Sequence, residues 1–171
     1  PVDSVRQPGN WIGALYYQLI QKEYNGKKFY TLLGLDDNDL SSTKKWMEVL
    51  YFNDEGTPVF GGLFFEYKAE DIKPDQPAYR FCLEFKKDAR ARMVFDPELD
   101  LIIFDHLISE ENDTRKKYTL IPDGDYEGFR WQNGKWVHIE KVFEEQQLKD
   151  GQAPMPKPFL DKDGNPIDDK E

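Results

Sequence analysis

Two Asn-Gly pairs, Asn25-Gly26 and Asn133-Gly134, constrain this chain more than any other feature. A two-residue turn that matches the twist of its flanking strands needs positive φ at both central residues. Asn tolerates that conformation and Gly adopts it freely, so Asn-Gly between alternating segments marks a β-hairpin. At the first pair, the arms are Trp11 to Gln21 and Lys28 to Leu35. A two-residue turn sets Tyr24 opposite Lys27 and Glu23 opposite Lys28, a charge pair worth roughly a few tenths of a kcal/mol. At the second pair, the arms are Tyr126 to Gln132 and Lys135 to Val142, with Trp131 opposite Trp136 and Phe129 opposite His138.

Further turn signals recur at short intervals, and the segments between them are strand-sized. Asp36-Asp37-Asn38-Asp39 ends the first hairpin, and Ser41-Ser42-Thr43 offers a cap for a short helical turn. Lys45 to Phe52 reads as a strand closed by Asn53-Asp54-Glu55-Gly56. Val59 to Tyr67 follows, with a bulge or bend expected at Gly61-Gly62. Ala69 to Ala78, holding Pro74 and Pro77, reads as a loop.

Phe81, Leu83 and Phe85 then alternate with Arg80, Cys82, Glu84 and Lys86, while Ala89, Ala91, Met93 and Phe95 alternate with Arg90 and Arg92. A hairpin with a three-residue loop, Lys86 to Asp88, keeps apolar opposite apolar: Phe85 on Ala89, Phe81 on Met93, and Glu84 on Arg90. Asp96 to Asp100 is a turn. Leu101 to Leu107 is apolar on both faces and reads as a central strand. Tyr118 to Ile121 is short, Pro122-Asp123-Gly124-Asp125 reads as a turn, and Val142 to Lys149 reads as a short helix or a frayed end.

The pattern predicts an all-β fold: an antiparallel sandwich or partly open up-and-down barrel of about nine to ten strands with little helix. Residues 1–149 form one domain in this reading. Beyond them Pro154, Pro156, Pro158 and Pro166 mix with Asp161, Asp163, Asp168 and Asp169, so 150–171 reads as an extended Pro/Asp-rich tail. The 15% aromatic content favours strands. No apolar run approaches the ~20 residues of a membrane helix, so no transmembrane segment is expected. The chain starts at Pro1, as expected of a processed or excised piece of something longer.

The charge balance narrows the partners. With 33 acidic and 23 basic residues, the net charge is -10. A nucleic-acid backbone needs a clustered positive face, and Lys44-Lys45, Lys86-Lys87 and Arg115-Lys116-Lys117 all sit beside Asp or Glu. No nucleic acid is expected. The single cysteine, Cys82, cannot form an intrachain disulfide and reads as a small residue on the less apolar face.

Candidate chemistry is sparse. There is no His-x-x-x-His, Cys-x-x-Cys or Ser/His/Asp signature, so neither metal nor cofactor is expected. Asp105-His106 sets a carboxylate beside an imidazole, but strand neighbours point to opposite faces and do not pair directly. Asp36-Asp37-Asn38-Asp39 and Asp161-Lys162-Asp163-Gly164-Asn165 offer oxygens to calcium, yet the second lacks the bidentate Glu of an EF-hand loop, and both read as solvated turns. Aromatics give the sharper binding idea. Trp11, Trp131 and Trp136, with Tyr16, Tyr17 and Tyr126, would make a stacking platform for sugar rings or a groove for a peptide, or else fill the core. The candidate ligand-binding residues are Trp11, Tyr17, Trp131, Trp136 and His106. Gly9-Asn10-Trp11 also fits the Gly-x-Trp opening of lipocalins, a carrier alternative.

Several segments together carry a resemblance. Trp11-Ile12-Gly13-Ala14-Leu15-Tyr16-Tyr17, Lys28-Phe29-Tyr30-Thr31-Leu32-Leu33-Gly34 and Val49-Leu50-Tyr51-Phe52 are three of them. Gly56-Thr57-Pro58-Val59-Phe60-Gly61, Ile103-Phe104-Asp105-His106-Leu107 and Gly128-Phe129 with Gly134-Lys135-Trp136-Val137 complete the set. Over roughly residues 11 to 140 the chain resembles a family of uncharacterised exported proteins of Bacteroidales bacteria, as their C-terminal β region. The resemblance implies a periplasmic or cell-surface location and brings no activity and no functional residues. The leading expectation is a non-enzymatic binding or scaffolding module of an exported protein, with a glycan or a protein as partner. A glycan-acting hydrolase using Asp or Glu and a lipocalin-like carrier are the alternatives.

Overall fold

The computed structural model describes residues 2–67 and 76–143. The fold is all-β: among the described residues two five-stranded, mainly antiparallel sheets face each other, and no barrel closes. The strands are β1 (Leu15–Tyr24), β2 (Lys27–Asp36), β3 (Ser42–Phe52), β4 (Pro58–Phe60), β5 (Phe65–Glu66), β6 (Phe81–Lys86), β7 (Met93–Asp96), β8 (Leu101–Ser109), β9 (Leu120–Gln132) and β10 (Lys135–Ile139). A 3-10 turn, Lys117–Thr119, precedes β9. One sheet runs β1-β2-β3, with β4 and β6 pairing with different halves of β3. The other runs β5-β10-β9-β8-β7. Among the described residues only β5 and β10 pair in parallel.

Both Asn-Gly hairpins form in the expected register. Glu23 faces Lys28 and Tyr24 faces Lys27, while Trp131 faces Trp136 and Phe129 faces His138. Asn25 and Gly26 have φ of 51° and 73°, and Asn133 and Gly134 have 50° and 79°, the positive values the turn requires. Leu101 to Asp105 are all buried, and β8 lies between β7 and β9, as a strand apolar on both faces should.

The expected hairpin over residues 81–96 does not form. β6 pairs with β3 in one sheet and β7 with β8 in the other. Glu84 therefore faces Lys44, not Arg90, and Phe81 faces Met47, not Met93. The reason is physical. Ala89 N–H closes a turn on the Lys86 carbonyl at 2.9 Å, and the chain then passes from the first sheet to the second before β7 starts. Phe81, Leu83 and Phe85 enter that core from one sheet, while Met93 enters from the other. Alternation fixes which face is apolar, but it is the same for paired strands and for strands that oppose across a core.

A second sheet change breaks the expected strand over 59–67 at Gly61-Gly62, leaving β4 and β5 in different sheets. Gly61 has φ of 83°, and a Cβ there would stand 2.6 Å from the Arg80 guanidinium. No helical turn forms at Ser41–Thr43. The Asp39 carboxylate accepts the Ser41 and Ser42 amides at 2.6 and 2.9 Å, and β3 begins at once. Pro122–Asp125 is not a chain reversal but part of β9. There Asp105 faces Tyr126 and Leu107 faces Pro122, so Asp123, Gly124 and Asp125 bulge opposite the single residue His106. Most of the loop expected over 69–78, most of the short helix or frayed end expected at 142–149 and the tail over 150–171 lie outside the described residues.

Leu33, Met47, Val49, Met93, Ile102, Phe129 and Trp136 are fully enclosed between the sheets. Each such side chain contributes on the order of 1.5–3 kcal/mol of burial free energy. Trp136 Nε1 donates to Thr31 Oγ1 at 2.9 Å, joining the sheets. On one side the edges of β1 and β7 are laced by side chains: Gln18 Oε1 accepts the Phe95 amide at 2.9 Å, and the Tyr17 hydroxyl donates to the Met93 carbonyl at 2.8 Å. The outer face of the first sheet carries the N-terminal segment, where Trp11 stacks on Tyr16 and Phe60. Nearby lies Arg80, which alternates with the apolar face of β6 yet is only 1% exposed. It donates to Glu48 through Nε and Nη2 at 3.0 and 2.8 Å, and to the Ser4 carbonyl at 3.1 Å.

Candidate functional site

The candidate aromatic residues do not converge. Trp136 is fully buried, with Trp131 packed edge-on against it. Trp11 lies on the outer face of the other sheet. The Tyr17 ring sits at the laced β1–β7 side with Lys45 Nζ 5.5 Å from its centre. Tyr126 packs edge-on against Phe143. The three tryptophans share no concavity and build no stacking platform. Of the five candidates, His106 alone lines a cleft among the described residues.

That opening is a cleft of about 600 Å³ where β6 faces parts of β8, β9 and β10. Phe81, Leu83, Phe104, Leu107 and Leu120 supply its apolar wall, and His106, Glu127 and His138 supply a polar corner. Strand parity explains the corner. Phe104, Phe129 and Trp136 belong to the core cluster, and side chains two apart share a face. His106 is two residues beyond Phe104, Glu127 two before Phe129, and His138 two beyond Trp136. All three therefore stand where the pattern calls for apolar residues.

The β9 bulge completes the group by carrying Asp123 to His106. His106 Nδ1 lies 2.8 Å from Asp123 Oδ2. Burial acts to raise the Asp123 carboxyl, but the Asp125 amide and the His106 ring outweigh it and hold it below the usual carboxylate range. Asp123 is then ionised at neutral pH and can only accept, so Nδ1 of His106 carries the proton. In the neutral ring Nε2 is a bare acceptor, and it lies 3.9 Å from Glu127 Oε1. The other oxygen of Glu127 accepts from Nε2 of His138 at 2.6 Å. His138 is 4% exposed, whereas the His106 side chain is 40% exposed and open to the cleft.

The remaining polar groups have local partners. The Asp105 carboxylate accepts the Arg92 amide at 2.5 Å. Lys44 lies 3.8 Å from Glu84, Arg115 clasps Asp113 through two nitrogens, and Lys117 Nζ donates to the Thr114 carbonyl. Cys82 also borders the cleft. Burial, reinforced by the charge of Glu84, pushes its thiol up to about 12, which disfavours the nucleophilic thiolate at neutral pH. Among the described residues no group of three or more His, Cys, Asp or Glu side chains is arranged to hold a metal ion.

Asp123, Glu127 and His138 were not legible as site residues from the sequence. Parity with Phe129 and Trp136 carried the signal for Glu127 and His138, whereas the contribution of Asp123 depends on a bulge that resembles a turn. No protein-family model matches this chain, and no curated protein or solved structure matches it.

Proposed function

We propose that this domain is a non-catalytic binding module of an exported protein and that the cleft between β6 and β8–β10 is its ligand site. One observation carries the reading: three ionisable side chains occupy core-face positions beside an open cleft with an apolar wall. Polar groups at such positions cost folding free energy, so their place is explained by what they contact from outside. The resemblance of residues 11 to 140 to exported Bacteroidales proteins supports the exported location in this reading. A lipocalin-like carrier fits poorly, because its ligand space requires a closed barrel and the sheets here are packed against each other. A sugar-stacking platform has little support, since Trp46, the tryptophan on the cleft wall, is 8% exposed.

The Asp123–His106 pair favours a second reading. A carboxylate that fixes the imidazole tautomer leaves Nε2 free as a general base toward water in the cleft. Two features weigh against it: the thiol beside the cleft is held protonated, and Glu127 is tied to His138. The test is a screen of oligosaccharides, tripeptides and aromatic fragments by ¹H–¹⁵N NMR on the full chain. Binding at this site shifts the His106 and His138 rings and the Trp46 indole. Shifts confined to other surfaces overturn the reading. Turnover of a glycan that His106→Asn abolishes would establish the second reading instead.

A further inference from the structure

The cleft holds a mismatch that selects for one kind of ligand group. His106 Nε2 and Glu127 Oε1 face each other across 3.9 Å, too far for a hydrogen bond. In the neutral ring, with its proton on Nδ1 toward Asp123, Nε2 and Glu127 Oε1 are both acceptors. A single nitrogen placed at the apex of that gap reaches both at about 2.8 Å, provided it carries at least two N–H groups.

The electrostatics of the corner agree. Glu127 and Asp123 flank it, and Asp105 and Glu140 border the cleft. The cations of the cleft, Lys44, Arg115 and Lys117, are engaged by Glu84, Asp113 and the Thr114 carbonyl. The molecule as a whole carries -10. Beside the acceptor pair stand Phe81, Phe104, Leu107 and Leu120, which suit an apolar or aromatic body. We propose that the cleft binds a primary ammonium group on an apolar or aromatic body, the ammonium donating to His106 Nε2 and Glu127 Oε1. This inference rests on the cleft being a ligand site and specifies the ligand class.

The experiment titrates the full chain at neutral pH with benzylamine, benzyl alcohol and benzoate, three probes of similar shape and different charge. The ¹⁵N resonances of the histidine rings report the site. Benzylamine should saturate and move the bare His106 Nε2 signal toward the protonated range. Benzyl alcohol should bind roughly tenfold weaker, and benzoate weaker still. Glu127→Gln keeps an oxygen acceptor for His138 and should weaken benzylamine roughly tenfold while leaving benzyl alcohol unchanged. Asp123→Asn releases the His106 tautomer and serves as an independent variant if Glu127→Gln does not fold. Equal binding of benzylamine and benzyl alcohol overturns the ammonium assignment and leaves the cleft as a ligand site. Tighter binding of benzoate reverses the assigned charge. Failure of all three probes to shift either histidine overturns the ammonium assignment. The wider cleft reading then stands or falls on the oligosaccharide and tripeptide screen.

Discussion

Glu48 and Arg80 illustrate how a single residue can run against its sequence pattern. Arg80 precedes the alternating run Phe81–Phe85, and its parity places it with Cys82 and Glu84, away from the core. That parity is correct: it lies on the outer face. The outer face at this point is covered by the N-terminal segment, so the guanidinium is enclosed with Glu48 and capped by the Ser4 carbonyl. Removing one partner leaves the other charged, buried and unpaired. Arg80→Ala or Glu48→Ala should each cost about 3–5 kcal/mol, read as a fall in urea midpoint. The double change Glu48→Leu with Arg80→Met should recover most of that loss. Cys82 gives a second prediction at this scale. With its thiol pushed up to about 12, it should react with iodoacetamide far more slowly than a free thiol at mildly alkaline pH, and the rate should climb steeply only above about pH 10. Alkylation followed by mass spectrometry checks this, and fast labelling near pH 8 would contradict the burial seen here.

At the scale of elements, the two Asn-Gly turns test what the sequence made plain. Both glycines have positive φ, but their surroundings differ. A Cβ on Gly26 meets nothing within 4 Å, whereas one on Gly134 would stand 2.5 Å from the Tyr24 ring of the other hairpin. Gly26→Ala should therefore cost about 1 kcal/mol of backbone strain alone. Gly134→Ala should cost more, because the Tyr24 ring has to move as well. Urea denaturation of both variants separates the two costs. The hairpins were legible because their turn chemistry and alternation are local and agree. The pairing of β6 with β3 and of β7 with β8 was not, because alternation records which face is buried and carries no address for the partner strand. The bulge at Asp123–Asp125 was not legible for a related reason. Pro, Asp and Gly in succession satisfy a turn and a wide bulge equally well, and only the hydrogen-bonding strand opposite decides between them. The candidate site inherits that ambiguity. His106 was legible as a residue of interest, but its partner Asp123 comes from the bulge, and Glu127 and His138 follow only once the core face of β9 and β10 is known.

At the scale of the whole molecule, the sandwich is closed by side chains as well as by ladders, and two adjacent tyrosines do much of this. Tyr16 donates to Glu48 at 2.9 Å on the outer face under the N-terminal segment. Tyr17 reaches the other way, to the Met93 carbonyl of the opposite sheet. Burial raises both phenols, with the Glu48 charge adding to the rise at Tyr16, and Tyr17 is pushed up to about 12. The sign follows from which state holds the proton. Below the ordinary phenol value of 10.0 both states are protonated, and the contacts contribute fully. As pH rises past that value, the unfolded chain loses these protons while the folded protein keeps them, so stability falls with pH across the interval up to the folded values. Urea midpoints should therefore drop between about pH 9 and about pH 11. Replacing both residues by Phe should lower stability at neutral pH, by about 1 kcal/mol for each hydrogen bond lost, and should flatten the alkaline fall. A double variant whose midpoint falls as steeply as the wild type would show that other ionisations, not the two residues that tie the sheets and the N-terminal segment together, set the alkaline limit of this fold.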